Sequence, residues 1–194
     1  MEKLSHDMLY SLEQYARIRP DFRIKLMEHK KLRQIALGPN ARLHFEDRLT
    51  MHYQIQEILR AERIFEPEEI TTEMAAYNPL IPDGSNWKAT FMLEYDDIKE
   101  RKVALAKMTN IEDRLWVKID GFEHVWGIAD EDLERSNDKK TASVHFLRFE
   151  LTAEMVAAAK AGADIGIGIE HPAYCYQVDP IPDNVRTALL VDLD

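Results

Sequence analysis

Apolar and polar residues alternate along several stretches of the chain, and this alternation predicts β-strands. In NWKATFMLEY every second residue from Trp87 to Tyr95 is apolar, the pattern of a strand with one buried face. SVHFLRFEL and ADIGIGIEH indicate two further strands, and the glycines of the second predict that backbone or ligand approaches one face closely. RQIAL and ARLHF predict two short strands joined by a turn at Gly38-Pro39-Asn40. RLWVKID and FEHVWGIA predict a hairpin around Asp120-Gly121.

Apolar residues spaced three to four positions apart predict helices between these strands. The predicted helices cover residues 5–17, 21–32, 47–63, 96–108, 152–161 and 183–192. Pro20 is expected in the first turn of the second helix, and Thr152 and Gly162 are expected to cap the fifth. Residues 66–86 are predicted to be an acidic stretch and an irregular connector, and residues 131–141 a charged loop.

The order of these elements favours the α+β class. N-terminal helices and one long polar helix would pack on a single mixed or antiparallel sheet. The length fits a single domain over residues 1–194. A subdivision into a mainly helical part, residues 1–77, and a sheet-rich part, residues 86–176, stays open.

The predicted helix over residues 47–63 is unusually polar. At about 3.6 residues per turn, its core face contains Met51, Ile55, Ile58 and Leu59. Arg48 and Glu62 fall inside the same arc, and His52 and Gln56 lie on its border. A charged side chain in an apolar arc is costly unless it is paired, so Arg48 and Glu62 each need a partner from another element.

SVHFLRFEL and GIGIEHPAY are the natural sources of such partners, and in SVHFLRFEL His145 and Arg148 point to the two opposite faces of the strand. The candidate ligand pocket therefore comprises Arg48, His52, Gln56, Glu62, His145 and Arg148. One interpretation is a structural network in which Glu62 pairs with Arg148 and His52 bonds a backbone carbonyl. The other is a binding or enzyme pocket for a small anion, since arginine supplies a bidentate fork and histidine a proton near neutral pH.

The sequence gives only weak indications of a metal site or of a catalytic cysteine. A mononuclear metal site could draw on His44, His52, His145 and His171 with carboxylates, but neither HExxH nor ExxH occurs. Cys175 near His171 is a candidate thiol–imidazole couple, although a lone cysteine is usually a small buried hydrophobe. GxSxG, P-loop and GxGxxG motifs are absent from the sequence. The motifs therefore assign neither a catalytic residue nor a cofactor.

The net charge and the cysteine content indicate which binding partners and which cellular compartment to expect. A net charge of -10 argues against nonspecific binding to nucleic acid or to an anionic membrane. No apolar run is long enough to span a bilayer, the N-terminus is too charged for a signal peptide, and one cysteine forbids an intramolecular disulfide. We therefore expect a cytoplasmic protein. Homodimerisation through a sheet edge stays open.

Residues 17–33 are a local exception, with seven Lys/Arg against two Asp/Glu. This basic segment is either a solvated helix face or a docking patch for an acidic partner or a phosphate.

Several long motifs, taken in their order along the chain, resemble those of a known protein family. ARIRPDFR, FEDRLTMHYQIQEILRAERIFE, YNPLIPDGSNWKATFMLEY, HFLRFEL and HPAY resemble an uncharacterised bacterial family with a conserved domain of unknown function, over about residues 4–174. Members of this family are often encoded beside rubrerythrin-like proteins and iron–sulfur oxidoreductases. The resemblance implies an accessory or binding protein of a peroxide-defence or electron-transfer module, with a rubrerythrin-like or iron–sulfur partner. It transfers no catalytic residue, and the chain lacks the cysteines to hold a cluster itself.

Overall fold

The computed structural model describes residues 2–129 and 141–194, so the charged loop predicted at 131–141 lies outside the described residues except for Thr141. The helices of the described part are α1 (Leu12–Lys31), α2 (Arg48–Glu62), α3 (Pro67–Tyr77), α4 (Ile98–Lys107), α5 (Ala153–Ala161) and α6 (Asp183–Leu190). The strands are β1 (Gln34–Leu37), β2 (Ala41–Glu46), β3 (Asn86–Leu93), β4 (Leu115–Ile119), β5 (Val125–Trp126), β6 (Ile128–Ala129), β7 (Val144–Glu150), β8 (Ile165–His171) and β9 (Tyr174–Val178). This composition confirms the α+β class.

The strands form two antiparallel sheets where one sheet was expected. The first has the order β1-β2-β3-β7-β6 and the second β5-β4-β8-β9. Gly127 marks the change of sheet, because β5 before it pairs with β4 and β6 after it pairs with β7. A Cβ on Gly127 would lie 3.1 Å from Cε1 of Phe149, so the chain crosses directly over that ring. Two short strands with one glycine between them cannot be assigned to separate sheets from periodicity alone.

The inner faces of the two sheets share one hydrophobic core. Alternate residues of β3, including Trp87, Ala89, Phe91 and Leu93, are buried as the sequence pattern predicted. Leu115, Val117 and Ile119 of β4 and the isoleucines of β8 contribute from the second sheet, and α5 and α6 add Val156, Ala159, Val185 and Leu189.

A second, smaller core lies between the N-terminal segment and α2. It contains Leu4, Met51, Ile55, Leu59 and Ile81. The predicted bounds of α2 are confirmed, because the side chain of Asp47 accepts from Thr50 N at the start and Arg63 adopts a left-handed conformation, with φ of 58°, at the end.

Three local predictions are wrong. Residues 5–32 do not form two helices; Ser11 and Gln14 make a capping box, and α1 then runs without a break through Pro20. A proline removes one backbone hydrogen bond, whereas Tyr15 and Leu26 are buried on either side of it, and their burial favours the continuous helix. The acidic stretch after Glu66 forms α3 with Pro67 at its first position, and β9 was not predicted.

Candidate functional site

Gln56 of α2 ties the N-terminal segment to the helix. It is fully buried, its Oε1 accepts from the backbone N–H of Tyr10 at 2.6 Å, and its Nε2 donates to the carbonyl of Tyr10 at 3.3 Å. Both polar groups of this amide are therefore used in a structural clamp.

His52 and Arg48 lie beside this clamp. The His52 ring stacks on Tyr10, with centroids 5.5 Å apart, and meets Phe22 edge-on at 5.4 Å. Its Nε2 is buried without a hydrogen-bond partner among the described residues, and burial lowers the pKa of His52. Arg48 Nη2 lies 2.8 Å from Sδ of Met8. Arg48, His52 and Gln56 therefore meet at one seam, which holds the N-terminal segment against α2.

Glu62 is exposed, so it does not lie in the core as the helical wheel indicated. It is the last residue of α2, where the chain turns away through Arg63. The expected pair between Glu62 and Arg148 is not formed, because Arg148 Nη1 bonds Glu150.

Glu57 lies opposite the core face on the helical wheel of α2, which predicts a solvated side chain, but it contacts α1. Its oxygens accept from Nε and Nη2 of Arg19 at 2.7 Å each, and from the hydroxyl of Tyr15 at 2.7 Å. Hydrogen bonds from Arg19 are the main cause that lowers the pKa of Glu57 to about 2.

His145 and Arg148 lie on opposite faces of β7. His145 is fully buried between the sheets, 2.8 Å from Oγ1 of Thr141 and stacked near Phe91. Arg148 is half-buried on the outer face of the first sheet. The structure therefore brings Arg48, His52 and Gln56 together and places Glu62, His145 and Arg148 in other parts of the molecule.

Charged side chains from three strands lie together on the outer face of the first sheet, although they belong to separate sequence motifs. Cα partners across β2, β3 and β7 form one row of Glu46, Lys88 and Arg148 and a neighbouring row of His44, Thr90 and Phe146. Glu46 is buried; its Oε1 accepts from the hydroxyl of Thr90 at 2.6 Å, and its Oε2 has no partner among the described residues.

Lys88 is the unusual member of the row. It is half-buried directly opposite Arg148, and its Nζ forms no hydrogen bond or ion pair with any residue of 2–129 or 141–194. Burial first, and then the Arg148 charge, lower the pKa of Lys88, while Glu150 and Asp83 act in the opposite direction. Glu150 also accepts from Nδ2 of Asn86 at 3.0 Å. Lys88 and Arg148 therefore bring two cations together on adjacent strands, with the carboxylate of Glu46 opposite Lys88 and that of Glu150 bonded to Arg148.

Sequence reasoning found Arg148 but missed Lys88. In NWKATFMLEY Lys88 is one polar residue of a regular alternation, which by itself indicates a solvated face. Its significance depends on the register of β3 with β7, which puts a second cation beside it. The sequence does show that several strands carry polar residues at alternate positions, and such residues can share one face of a sheet.

The four histidines named as metal candidates are dispersed. His44 lies on the outer face of the first sheet, His52 on α2, His145 between the sheets and His171 at the end of β8. Within residues 2–129 and 141–194 no group of three or more His, Cys, Asp or Glu side chains is arranged to hold a metal ion.

Cys175 and His171 do not support a thiol–imidazole couple. Nδ1 of His171 accepts from the backbone N–H of Ala173 at 3.1 Å, and Nε2 lies 3.2 Å from the carbonyl of Thr109. Cys175 is exposed on β9 opposite Glu170, so the expectation of a buried thiol is wrong.

Four of the seven cations in the basic segment pair with a carboxylate. Arg19 bonds Glu57, Arg17 pairs with Glu13, and Lys31 pairs with Glu28. Arg33 is buried and pairs with Asp192. Arg23, Lys25 and Lys30 pair with no carboxylate among the described residues, so the docking patch stays a prediction.

An apolar groove of about 640 Å³ lies between the N-terminal segment and the region from the end of α2 to α3. Its lining includes Leu9, Leu12, Leu59, Ile64 and Ile70. His6, Asp7 and Tyr10, the titratable groups in the lining, are exposed. The groove thus lacks the convergent buried polar groups that orient a small ligand. No helix in the described part of the chain has the length and hydropathy to cross a bilayer.

Comparison with known proteins places the chain in a family. A solved structure from Burkholderia pseudomallei, described as a novel protein of unknown function, has 45% sequence identity and a TM-score of 0.94, with all of both chains covered. A search of curated proteins found no match. The family model "Protein of unknown function (DUF3501)" matches residues 3–193. The chain therefore belongs to the DUF3501 family, as the bacterial family resemblance in its sequence indicated.

Proposed function

We propose that the protein binds a small anionic ligand between Lys88 and Arg148 on the outer face of the first sheet. The observation that carries the proposal is the position of two half-buried cations directly opposite each other on β3 and β7. Like charges at directly opposed positions destabilise a sheet. Glu46 opposite Lys88 and Glu150 bonded to Arg148 offset part of this repulsion, and a bound anion would offset more of it.

The two cations supply complementary contacts. Arg148 has a planar guanidinium group whose Nη1 bonds Glu150, and an arginine fork matches the geometry of a carboxylate or phosphate. Lys88 supplies a compact charge with three donors. Glu46 and Thr90 border the site and bond each other, so they limit its extent toward β2. A small carboxylate or a phosphate fits this chemistry.

The test is thermal unfolding and calorimetric titration with inorganic phosphate, pyruvate, lactate and citrate at low salt. We expect at least one of these anions to bind saturably; a concentration of 100 times Kd would stabilise the fold by about 2.7 kcal/mol. Lys88→Met should weaken that binding at least about tenfold, the size of about one charge-assisted hydrogen bond. Lys118→Met is the matched control, because Lys118 is also half-buried in a strand, on the second sheet. Equal binding by both variants, or no saturable binding at all, would overturn the proposal.

The second part of the proposal concerns the cellular role. We infer from the family resemblance that the ligand-binding protein serves as an accessory of a cytoplasmic peroxide-defence or electron-transfer module. Co-purification from the native host, followed by mass and metal analysis, tests this role. A rubrerythrin-like or iron–sulfur protein retained at a fixed ratio is the expected result, and a chain that elutes without either contradicts it.

A further inference from the structure

The apolar groove beside α3 is the open side of the smaller core. Leu9, Leu12, Ile64 and Ile70 pack against that core, and the same four side chains line the groove together with buried Leu59. The four are only partly buried, and α3, which is described over its whole length, has no buried residue. Part of the apolar surface of the smaller core therefore stays accessible in a groove of about 640 Å³.

Two exposed aromatic side chains extend this apolar surface. Phe65 is 68% exposed and Tyr10 is 41% exposed, and both line the groove. Contiguous exposed apolar surface is typical of interaction sites, and aromatic side chains are enriched in protein–protein interfaces. We therefore expect Phe65 to be the main anchor for a protein segment bound in the groove.

Hydrogen bonds hold both walls of the groove in place. On one side, Gln56 binds the backbone of Tyr10, and the side chain of Ser11 caps α1. On the other side, the backbone N–H of Ile64 donates to the carbonyl of Leu59 at 2.9 Å, at the end of α2. The groove is therefore preformed, so a partner spends little binding free energy on ordering its walls.

The two segments that form the groove are strongly acidic. Residues 2–14 and 59–73 carry eight Asp/Glu against three Lys/Arg. Glu66, Glu68 and Glu69 are exposed at the start of α3, and none of them forms an ion pair with a described residue. The charge around the groove therefore complements a basic partner and disfavours an anionic membrane or an acidic protein.

The backbone of the groove indicates the conformation of the bound segment. The lining residues lie in helices and turns, and none of these described residues belongs to a strand. An extended peptide needs a sheet edge that binds its backbone, whereas a helix satisfies its own backbone hydrogen bonds and presents one apolar face. The groove therefore favours a helix over an extended peptide.

We propose that this groove binds a basic amphipathic helix of a partner protein. The apolar face of that helix packs on Phe65 and the exposed part of the smaller core, and its Lys/Arg side chains lie near Glu66, Glu68 and Glu69. The groove shares no residue with the proposed anion site, so this inference does not depend on anion binding.

Selection from a phage-displayed peptide library against the intact chain tests the proposal. Each peptide has leucine at positions i, i+4 and i+7 of a helical framework, and the flanking positions are randomised among Lys, Glu and Ser. We expect the selected peptides to be enriched in Lys over Glu and to be helical when bound, as circular dichroism of synthetic copies would show. Enrichment of Glu, or a selection that enriches no sequence, would overturn the proposal.

Substitution of the expected anchor locates the bound peptide. Phe65→Ser should weaken binding of the selected peptides at least about tenfold, the effect of losing one interface anchor. Ile98→Ser is the matched control, because Ile98 is 59% exposed on α4 and does not line the groove. Both side chains are exposed, so neither substitution should unfold the protein. Equal affinity of wild type and Phe65→Ser would place the peptide elsewhere and refute the proposal.

Neutralising the acidic edge of the groove tests the role of charge. Glu68→Gln combined with Glu69→Gln should weaken binding of the Lys-containing peptides and reduce its dependence on salt. Asp96→Asn combined with Glu123→Gln is the matched control, because both carboxylates are exposed and neither lines the groove. Equal weakening by the two double variants would indicate a nonspecific effect of net charge and contradict the proposal.

Analytical ultracentrifugation distinguishes a partner protein from a second copy of this chain. We expect wild type and Phe65→Ser to have the same oligomeric state, because the groove is open to a partner. A wild-type dimer that becomes monomeric with Phe65→Ser would assign the groove to a second copy and overturn the proposal.

Discussion

Gly168 in β8 lies beneath the indole of Trp116, where the sheet leaves no space for a side chain. A Cβ at this position would stand 2.4 Å from Cζ2 of Trp116, and Trp116 is itself held from the other side by the parallel ring of His124, with ring centroids 4.1 Å apart. The glycine pattern of ADIGIGIEH correctly predicted a close approach, but the approaching group is an aromatic side chain of the neighbouring strand.

Gly168→Ala should therefore destabilise the protein by overpacking, by about 1–3 kcal/mol in urea unfolding. The control is the same substitution in a Trp116→Phe background, where a smaller ring leaves room for the methyl group. The double variant should lose less stability than the sum of the single variants. Strict additivity would show that the contact with Trp116 is not the cause.

Single residues on α2 show where a helical wheel predicts burial correctly and where it does not. The wheel placed Met51, Ile55 and Leu59 correctly in the core, but Thr50 and Gln56 are also buried. Thr50 is enclosed because it completes the capping box with Asp47, and Gln56 because the N-terminal segment covers it. A wheel describes one helix, whereas burial depends on everything that packs around it.

At the scale of elements, the contact between α1 and α2 depends on Glu57. The carboxylate accepts both bonds from Arg19 and one from Tyr15, whose side chain is fully buried. This arrangement converts one exposed-looking position of α2 into the attachment point of a 20-residue helix.

Glu57→Gln should destabilise the protein by about 2 kcal/mol, because hydrogen bonds to a charged group contribute about 1.5–3 kcal/mol and glutamine can replace them only in part. Glu62→Gln is the matched control on the same helix and should change the free energy of unfolding by less than about 0.5 kcal/mol, because Glu62 is exposed. Urea denaturation measures both. A larger loss for Glu62→Gln would mean that this carboxylate has a structural partner.

At the scale of the whole molecule, a buried ionic network joins distant parts of the chain. Arg33 donates to the carbonyls of Phe45 at 3.2 Å and Ala188 at 2.9 Å and pairs with Asp192. Asp47 lies 3.5 Å from Arg33 and 2.5 Å from Nε2 of His29. The network thus fastens the C-terminal segment to the end of α1 and the start of α2. Oδ1 of Asp192 is buried without a partner among the described residues.

The network predicts a pH dependence of stability. Burial raises the pKa of Asp192 from 3.8 to about 6, against the opposing effect of Arg33. Between these values the folded protein binds more protons than the unfolded chain, so the free energy of unfolding falls as pH rises from about 4 through about 6. The contribution is fully present below the unfolded pKa and amounts to about 3 kcal/mol.

Asp192→Asn should remove this dependence. The difference in unfolding free energy between wild type and variant, measured from pH 4 to pH 7.5, should decline through the same window. Asp21→Asn, which removes an exposed carboxylate of α1, controls for the change in net charge. A constant difference across the window would show that Asp192 titrates alike in both states.

The resemblance to a family of unknown function, the α+β class, the bounds of α2 and the buried face of β3 followed from the sequence alone. These features depend on local periodicity, on capping residues and on ordered motifs, and each of these involves residues that are close together in the sequence. Only the tertiary structure decided that there are two sheets, that Glu62 is exposed while Glu57 is bound, and that Lys88 stands opposite Arg148. These features depend on strand register and on which segments pack together, and contacts between residues far apart in the chain determine both.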